Sequence, residues 1–501
     1  MNAQSITGKP FRVVVAGGGT AGWVAATALV RQLGSLIDLT LVESEEIGTI
    51  GVGESTIPTA RAFHEFLKID QQAFMQASRA SFKLGISFEN WARRGDRYIH
   101  SFGAMPLRTW MAEFQHFWLE ARSRGEAEPD IGAYYMEHEA ARLHKMDLGG
   151  DPKLNYAYHV DASLYARFLR RIAENDGAVR KEGKIARVER DGESGNIAAL
   201  IMEDGSRVEG DLFIDCTGFR SILLGQTLET PFEDWLHWLP NDSAWATQAE
   251  SVGDAYPYTR AIAHGAGWQW RIPLQHRMGA GFVFSSDHLA ADKALDEFRA
   301  SLEGKPLRDP FLIKFRAGRR RQAWVGNCVG IGLAGGFVEP LESTTIHLIM
   351  IGVTRLLQLF PFGKDWEAQR RRFNEMSQAE IERVRDFIIL HYHLTERDDT
   401  SFWDYVRNMP IPDSLRERME IFGESATAWQ STEEIFRVDS WLQVMLGQRL
   451  TPRSWHRLPA LMAPGRLRDT LTEIRTRVDR RVAAMPSHQA FIDDYCGEVP
   501  A

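Results

Sequence analysis

The first pattern along the chain is an apolar run, then a segment of helical spacing, then a second apolar run. Residues 11–16 are apolar and lie between Pro10 and a glycine cluster, which predicts a buried strand. Residues 20–33 have helical character, and residues 39–43 predict a second strand that ends in an acid. A strand, a glycine-rich turn, a helix and a strand in this order predict a parallel α/β sheet.

The pattern changes several times along the rest of the chain. Residues 63–118 are rich in aromatic and charged side chains and are predicted to be helical in parts. Residues 185–208 alternate as antiparallel strands do, with a turn near their end. Residues 211–217 and 324–330 each predict a buried strand, and the chain beyond residue 344 is mainly helical in pattern.

This order of elements predicts two structural parts. The first, over residues 1–360, is a dinucleotide-binding domain assembled from separated segments, with a substrate-binding portion inserted at about residues 63–160 and 220–320. The second, over residues 361–501, is a helical cap on the substrate side.

Composition and charge exclude some classes of protein. Of the 501 residues, 44% are apolar and 25% charged, and the formal net charge of −8 argues against a nucleic-acid surface. The apolar stretch at residues 347–360 is interrupted by Arg355 and is too short to cross a membrane. Cys216, Cys328 and Cys496 lie far apart without metal-ligand spacing, which predicts reduced thiols in a cytoplasmic protein and no metal site.

The turn between the first strand and the first helix has the pattern G-x-G-x-x-G. Glycine is needed there because the turn is tight and the backbone must approach a pyrophosphate, which the helix dipole then favours. An acid stands 21 positions after the last glycine, where it can accept hydrogen bonds from ribose hydroxyls. The residues expected to bind the dinucleotide here are Gly17, Gly19, Thr20, Ala21, Gly22 and Glu43.

The glycine pattern alone leaves FAD and NAD open. Residues 211–218 favour FAD, because a strand that ends in a small, glycine-containing turn is common in FAD-binding folds. Residues 325–330 stand where many flavoproteins carry Gly-Asp against the ribityl phosphate, and this chain has Gly326-Asn327 instead. Gly330, at the end of this segment, is assigned to the cofactor site.

Four further segments are distinctive: GVGESTIP at residues 51–58, FKLGISFENW at 82–91, WQWRIP at 268–273 and GFVEPLEST at 336–344. Together with the glycine-rich turn, they resemble the flavin-dependent halogenases, the tryptophan halogenases in particular, from about residue 10 to residue 360. The W-x-W-x-I-P segment is the specific one, because it distinguishes this family from flavin hydroxylases with similar folds.

The resemblance implies an α/β, FAD-binding dinucleotide fold of the flavin monooxygenase type, with an inserted substrate-binding portion and a mainly helical C-terminal cap. It also implies an enzyme that uses reduced FAD, O₂ and a halide, chloride or bromide, to form hypohalous acid. That acid halogenates an electron-rich aromatic ring. Only one dinucleotide fingerprint is present, so a separate flavin reductase is the expected source of reduced FAD.

The resemblance assigns catalytic roles to Lys83 and Glu342. Lys83 would hold or capture the hypohalous acid, as a hydrogen-bonded species or as a haloamine, and the alternative is an exposed helix lysine. Glu342 would stabilise the cationic ring intermediate or accept its proton. The alternative for Glu342 is an acid that complements a helix dipole, and Glu339 stands three residues before it.

The same segments supply residues for the cofactor and the halide. Exposed N–H groups at a helix start favour anions, and the family usually has glycine where this chain has Thr345, which leaves the halide preference open. Either tryptophan of the W-x-W-x-I-P segment is as well explained by packing as by a wall beside the flavin. The expected cofactor residues are Ser55, Thr56, Ile57, Trp268, Trp270 and Pro340, and the expected halide residues are Thr344 and Thr345.

On the substrate side, His100 is expected beside the ring and Phe102 as a stacking wall, with core packing as the alternative. Trp441 and Trp455 in the C-terminal part could stack on the ring or pack the helical cap. The tyrosine pair that binds the amino-acid moiety in enzymes acting on free tryptophan is missing. Indole or an indole derivative is therefore the preferred substrate class.

Two other functions remain open. A flavin-dependent aromatic hydroxylase would share the fold, and a flavin-binding protein without turnover would share the cofactor site. The sequence leaves the natural substrate, the position that is halogenated and the oligomeric state open, with a homodimer among the alternatives.

Overall fold

The structure, a computed structural model, describes residues 9–47, 53–106, 109, 111–363 and 365–497. Residues 51 and 52 of the GVGESTIP segment lie outside these ranges. The strands of the described part are β1 (Phe11–Ala16), β2 (Ile37–Glu43), β3 (Gly53–Ser55), β4 (Ser81–Lys83), β5 (Gly85–Glu89), β6 (Arg97–Ser101), β7 (Ala157–Asp161), β8 (Val179–Glu182), β9 (Ile185–Arg190), β10 (Ile197–Met202), β11 (Arg207–Glu209), β12 (Leu212–Asp215), β13 (Phe232–Asp234), β14 (Ser243–Ala249), β15 (Thr259–Ala263), β16 (Gly267–Pro273), β17 (Met278–Phe284), β18 (Phe311–Lys314), β19 (Gly318–Arg320), β20 (Trp324–Val325), β21 (Cys328–Gly330) and β22 (Gly336–Phe337).

The helices of the same part are α1 (Thr20–Leu33), α2 (Thr59–Phe66), α3 (Gln71–Ser78), α4 (Phe114–Ser123), α5 (Met136–Arg142), α6 (Ala162–Asn175), α7 (Ala291–Ser301), α8 (Thr345–Gln358), α9 (Glu367–His393), α10 (Ser401–Asn408), α11 (Asp413–Ser425), α12 (Val438–Gly447), α13 (Arg466–Ala483) and α14 (His488–Cys496).

A six-stranded sheet in the order β20-β21-β12-β1-β2-β8 carries the glycine-rich turn. All neighbouring strands are parallel except β20 and β21, so the predicted parallel sheet is confirmed. Val13 and Val15 of β1 pack into the core formed with α1, α6 and α8. Val14 and Ala16 point to the other face, where they pack against β10 and neighbouring residues. The alternating faces of β1 are therefore both buried, which explains its unbroken apolar run.

Two sequence predictions are refined by the strands. The antiparallel pattern at residues 185–208 is confirmed, since β9, β10 and β11 form a three-stranded antiparallel sheet. The single strand predicted at residues 324–330 is a hairpin, because β20 and β21 pair antiparallel across a two-residue turn. Residues 81–101, between the helices of the aromatic-rich region, form β4, β5 and β6.

A second, seven-stranded sheet in the order β18-β14-β17-β16-β15-β5-β6 supports the other side of the molecule. It is antiparallel except for the pair β15 and β5. One apolar core joins this sheet to α4 and to the C-terminal helices α9 to α13. Gln443 of α12 accepts hydrogen bonds from the Ser101 N–H at 2.9 Å and from its hydroxyl at 2.8 Å, which fixes the helices on the end of β6.

The mixed α/β class and the helical C-terminal part predicted from the sequence are confirmed. The boundary between the two predicted parts, residues 1–360 and 361–501, stays a prediction. In the described ranges, no helix is long and apolar enough to span a membrane.

Asp161, at the end of β7, supports two parts of this fold. Its carboxylate accepts hydrogen bonds from the backbone N–H groups of Ser163 and Leu164 at 3.1 Å, which caps α6. It also pairs with the buried Arg277 at 2.6 Å. Removing one partner of a buried ion pair leaves an uncompensated charge, which is strongly destabilising.

We therefore expect Asp161→Ala to lower the free energy of unfolding by about 3–5 kcal/mol, measured by denaturant unfolding of the cofactor-free protein. Asp70→Ala is the matched control, because Asp70 caps α3 through Ala73 at 2.7 Å but has no buried cation to pair with. Asp70→Ala should lower the free energy of unfolding by about 1 kcal/mol. Equal losses in the two variants would contradict the assignment.

Candidate active site

The glycine-rich turn has a backbone that only glycine adopts easily at Gly17. Its φ is +108°, and a Cβ there would overlap the carbonyl oxygen of Cys216. The Gly17 N–H donates to the Val42 carbonyl oxygen at 2.8 Å, which closes the turn onto β2. A Cβ on Gly22 would overlap the Gly17 carbonyl oxygen, so the helix can approach the strand this closely only with glycine.

The start of α1 is open to a ligand. Gly19 precedes the helix, no side chain caps it, and a Cβ placed on Gly19 would meet nothing within 4 Å. The first N–H groups of a helix need partners, and here they come from Thr20, Ala21 and Gly22. A phosphate group satisfies such groups and is favoured by the helix dipole, so the turn fits the pyrophosphate of a dinucleotide.

Glu43 ends β2 and lies directly against this turn. A Cβ on Gly18 would overlap its carboxylate, so the acid and the turn face the same space. Arg180, on the neighbouring strand β8, donates from Nε to Glu43 Oε1 at 2.6 Å and fixes its position. The second carboxylate oxygen stays on the side of the turn, where it can accept a hydrogen bond from a ribose hydroxyl.

The structure separates the two ends of residues 325–330. Gly330 ends β21 beside Asp215, at the same edge of the sheet as the glycine-rich turn. Asn327 lies at the opposite end of β21, where its side chain exchanges hydrogen bonds of 2.9 Å with the backbone of Ile197. Gly326-Asn327 therefore forms a structural hairpin turn, and it does not stand at the cofactor edge as the sequence suggested.

Lys83 is the most fully enclosed charged residue of the motif regions, with no exposed surface. Its Nζ donates to Ser343 Oγ at 2.8 Å and to the Thr56 carbonyl oxygen at 3.3 Å. It also lies 5.4 Å from the centre of the Phe102 ring. Burial lowers the pKa of Lys83 to about 7, although the nearby Glu342 opposes the shift. The alternative of an exposed helix lysine is wrong, because Lys83 ends strand β4 in the interior.

Packing of Phe82 on the opposite face of β4 keeps Lys83 in the interior. Adjacent residues of a strand point to opposite faces, so Phe82 is directed away from Lys83. Its ring packs against a group of aromatic side chains that anchors the strand from behind, namely Tyr156, Tyr158, His488, Phe491 and Tyr495.

Glu342 is the second enclosed group. His100 Nδ1 lies 3.0 and 2.9 Å from its two carboxylate oxygens, and His391 Nε2 lies 2.9 Å from one of them. Burial alone raises the pKa of a carboxyl group, but the two histidines outweigh this effect and lower the pKa of Glu342 to about 2. The group is therefore a carboxylate at neutral pH, on the same side of the molecule as Lys83.

Glu339, three residues earlier, is directed to different partners. It accepts hydrogen bonds from Trp268 Nε1 at 2.7 Å, from the Tyr392 hydroxyl at 2.7 Å and from Asn241 Nδ2 at 3.0 Å. Burial raises its pKa, and these three donors act in the opposite direction. The turn that begins at Pro340 thus directs one acid to the W-x-W-x-I-P strand and the other to the histidines.

The segment around Ser55, Thr56 and Ile57 forms one wall of the Lys83 site. The Thr56 hydroxyl donates to the Tyr158 carbonyl oxygen at 3.0 Å, which positions the Thr56 carbonyl that accepts from Lys83. Ser55 Oγ lies 3.1 Å from Thr259 Oγ1, whose other neighbour is His159 Nε2 at 3.0 Å. Ile57 packs with Phe102, and the other members of this small apolar cluster are Ala157 and Ile435.

The expected halide residues lie where the acid-bearing turn meets α8. Thr344 is fully buried, and its Oγ1 has no hydrogen-bond partner among the described residues. Thr345 is the first residue of α8 and is half-buried. Trp268 and Trp270 are buried on β16, and Trp270 lies over Gly281, where a Cβ would overlap its ring.

The expected substrate residues divide into two groups. His100 lies 5.7 Å from Phe387 and 6.4 Å from Phe436, measured between ring centres, and Phe387 contacts Trp441 at 4.8 Å. Together with Phe102, they form an aromatic wall beside the two enclosed charges. The indole of Trp455 instead donates to Glu120 of α4 at 2.8 Å, and its packing partners belong to the helical core.

Three polar residues of the site, and the aromatic residues Phe387 and Phe436, escaped the sequence analysis. His391 lies in α9, a helix whose charged pattern gave no sign of a buried histidine facing an acid. Ser343 was read only as part of a motif, although it receives the Lys83 hydrogen bond. Arg180 could have been suspected, since a basic residue on a strand next to β2 can pair with the acid that ends it. Among the described residues, no group of three or more His, Cys, Asp or Glu is placed to hold a metal ion.

Comparison with known proteins agrees with this geometry. A family model described as tryptophan halogenase matches residues 12–464. Tryptophan 7-halogenase RebH of Lentzea aerocolonigenes is 38% identical over 439 residues, which cover 83% of this chain and 82% of that protein. The solved structure of Xcc4156, a flavin-dependent halogenase from Xanthomonas campestris, has 50% identity, a TM-score of 0.96, and coverage of 99% of this chain and 100% of its own. BrvH, a flavin-dependent halogenase from Brevundimonas sp. BAL3, has 42% identity, a TM-score of 0.92, and coverage of 97% and 99%.

The fold is thus that of a flavin-dependent halogenase. The chain belongs to the tryptophan halogenase family. The predicted enzyme class, the FAD-binding fold and the dependence on a separate flavin reductase are confirmed.

Gly17 and Gly19, the first two glycines of the G-x-G-x-x-G pattern, should respond differently to substitution. We expect Gly17→Ala to lower the melting temperature of the cofactor-free protein, because its backbone and the Cys216 carbonyl exclude a side chain. Gly19→Ala should leave that temperature unchanged, since nothing surrounds the position, but should weaken FAD binding where the pyrophosphate approaches. Thermal unfolding and FAD titration measure the two effects. Normal FAD affinity in Gly19→Ala would place the phosphates elsewhere.

Proposed function

We propose that the chain uses reduced FAD, O₂ and a halide to form hypohalous acid and to halogenate indole or an indole derivative. The observation that carries the proposal is the enclosure of Lys83 and Glu342 in one buried region, with Ser343 next to one and bonded to the other. When bound, FAD supplies the redox chemistry that turns halide and O₂ into the halogenating agent. The turn and Glu43 described above would hold it.

Lys83 would hold the hypohalous acid next to the substrate. An ammonium group has three N–H donors, and two of those of Lys83 already point at Ser343 and Thr56. The third is available to donate to the oxygen of hypohalous acid. The adjacent Phe102 ring limits the space on this side, so the oxidant is kept where an aromatic substrate can meet it.

Glu342 would take the proton that the ring loses. The halogen–oxygen bond of hypohalous acid breaks, and its electron pair leaves on oxygen as hydroxide. A new carbon–halogen bond forms at the same time with an electron pair of the ring, which becomes cationic. The carbon–hydrogen bond at the same position then breaks, its electron pair restores the aromatic ring, and the proton passes to a Glu342 oxygen. A buried carboxylate that is still ionised is suited to stabilise the cation and then to accept its proton.

The start of α8 would hold the halide. The Thr344 hydroxyl is buried without a partner, and the first N–H groups of a helix favour an anion. Chloride and bromide both fit this chemistry. Thr345, where the family usually has glycine, adds a side chain beside the site. The preference between chloride and bromide is determined by comparing the rates with the two ions.

The preferred substrate is an indole without the amino-acid moiety. His100 lies against Glu342, Phe102 lies near Lys83, and Phe436 lies 6.4 Å from the His100 ring, so the site offers aromatic side chains to a flat ring. The tyrosine pair expected for free tryptophan is missing from the C-terminal part. A cytoplasmic location and a homodimer remain sequence predictions.

The first experiment is mass spectrometry of the products formed from indole and from tryptophan with FAD, NADH, a flavin reductase, and chloride or bromide. We expect a halogen isotope pattern with indole that requires both the protein and the halide. A hydroxylated product would indicate an aromatic hydroxylase instead. Firm binding of FAD with no product from either compound would favour a flavin-binding protein without turnover.

Lys83→Met should reduce halogenation by at least about 10²-fold, because it removes the donor that holds the oxidant. FAD affinity and thermal stability should stay close to those of the unchanged protein, since methionine fits a buried position without a charge. Lys145→Met is the matched control, because Lys145 bonds the Met485 carbonyl oxygen outside the site.

The pH dependence of kcat tests the state of Lys83 at the same time. With a pKa of about 7, the ammonium form dominates at lower pH, so kcat should fall as pH rises through about 7. A rate that instead rises through this range would mean that the neutral amine is required, as for a haloamine.

A further inference from the structure

Glu342 is enclosed by two histidines whose environments differ. His100 Nδ1 faces both carboxylate oxygens, and its other nitrogen, Nε2, is buried with no partner in the part of the chain that the structure describes. A neutral His100 with its proton on Nδ1 therefore satisfies this contact completely. His391 cannot be described in the same way, because both of its ring nitrogens face oxygen atoms.

The protons on His391 follow from its two neighbours. Nδ1 lies 2.8 Å from the Phe387 carbonyl oxygen, which can only accept, so Nδ1 carries a proton. Nε2 lies 2.9 Å from Glu342 Oε1, close enough for an ion pair, although the contact does not meet the geometry of a hydrogen bond. Without a proton, Nε2 would place an electron-rich nitrogen 2.9 Å from a carboxylate oxygen, with the ring fully buried. With a proton, the contact joins a cation and an anion.

We propose that His391 carries protons on both ring nitrogens and is the positioning residue that holds Glu342 as a buried carboxylate. The proposal rests on the proposed role of Glu342 as the group that accepts the ring proton. His391 does not contact the reacting atoms in this scheme and keeps both protons throughout. The ring proton goes to Glu342, and the carbon–hydrogen electron pair returns to the ring.

A carboxylate in this position requires such a partner. Full burial favours the neutral acid by up to about 3–5 pK units, and a neutral acid cannot accept the ring proton. The titratable groups that face Glu342 are Lys83 on β4, Tyr98 and His100 on β6, and His391 on α9. Lys83 has a pKa of about 7, so about half of the molecules carry a neutral Lys83 near physiological pH. Its positive charge is therefore not always present to stabilise Glu342. His391 is the partner whose neighbours fix a positive charge.

The surroundings of His391 allow a test that preserves the fold. Its ring packs among aromatic side chains, with Phe88 at 4.7 Å and Phe387 at 5.2 Å between ring centres. His391→Phe therefore keeps the packing and removes the charge, while His391→Gln keeps a neutral donor and removes the charge. His393→Phe is the matched control, because His393 lies two residues further along α9 and hydrogen-bonds the backbone of Val406.

The measurement is the infrared C=O stretch of protonated carboxyl groups in the cofactor-free protein, followed from pH 7 down to about pH 4.5. We expect His391→Phe and His391→Gln to show an additional band that grows as pH falls. Its midpoint should lie up to about three pH units above that of the unchanged protein, since His391 no longer opposes the effect of burial while His100 remains. The band should be missing from the unchanged protein, from His393→Phe and from His391→Phe combined with Glu342→Gln. Other buried acids contribute equally to all these spectra and cancel in the differences.

The outcomes separate this proposal from the proposed function. If His391→Phe shows no additional band, His391 does not hold Glu342 ionised and the proposal is overturned. If His391→Gln lacks the band while His391→Phe shows it, a neutral hydrogen bond suffices and the assignment of a charge is overturned. If the bands appear as expected but Glu342→Gln halogenates indole at the normal rate, the proposal on ionisation stands and the catalytic role of Glu342 fails. Slow halogenation by His391→Phe below about pH 6, with an unchanged KM for indole, supports both.

Discussion

The hydrogen bond from Lys83 to Ser343 joins two segments that are 260 residues apart in sequence, and the site depends on it. Lys83 ends a short strand that is anchored from behind by aromatic rings, and Ser343 follows a tight turn with a φ of +60°. Their contact brings a lysine and an acid into the same enclosed region without pairing them directly, which leaves both groups available for chemistry.

The spacing of the two acids in the GFVEPLEST segment shows how a local turn assigns roles. Glu339 and Glu342 would share one face of a regular helix. The turn that starts at Pro340 and the left-handed residue Ser343 instead direct them to different sides. Glu339 links the indole of Trp268 to Tyr392 of α9 by hydrogen bonds, which is a structural role. Glu342 faces the histidines instead. Burial penalises both acids, and the difference lies in their partners: neutral donors for one and a histidine pair for the other.

Much of the cofactor half could be predicted from the sequence, because its signals are local. The strand, turn and helix at residues 11–33 follow from an apolar run, three glycines and helical spacing, and the structure has the same limits. Lys83, Glu342 and His100 were found because short segments resemble a known family. His391 was not, since its partner is 49 residues away and α9 shows the charged pattern of a surface helix. The hairpin at residues 324–330 was missed because a two-residue turn inside a short apolar run leaves almost no trace in the pattern.

The apolar cluster around Phe102 determines which side chains of the protein are exposed to the oxidant. An oxidant held by Lys83 lies close to this ring, and the ring packs with Ile57, Ala157 and Ile435. None of these side chains contains the sulfur or electron-rich indole that such an oxidant attacks most readily. Trp441, by contrast, packs against Phe387, with 4.8 Å between their ring centres. The apolar side chains next to Lys83 are therefore ones that hypohalous acid oxidises slowly, which would limit self-inactivation of the enzyme during turnover.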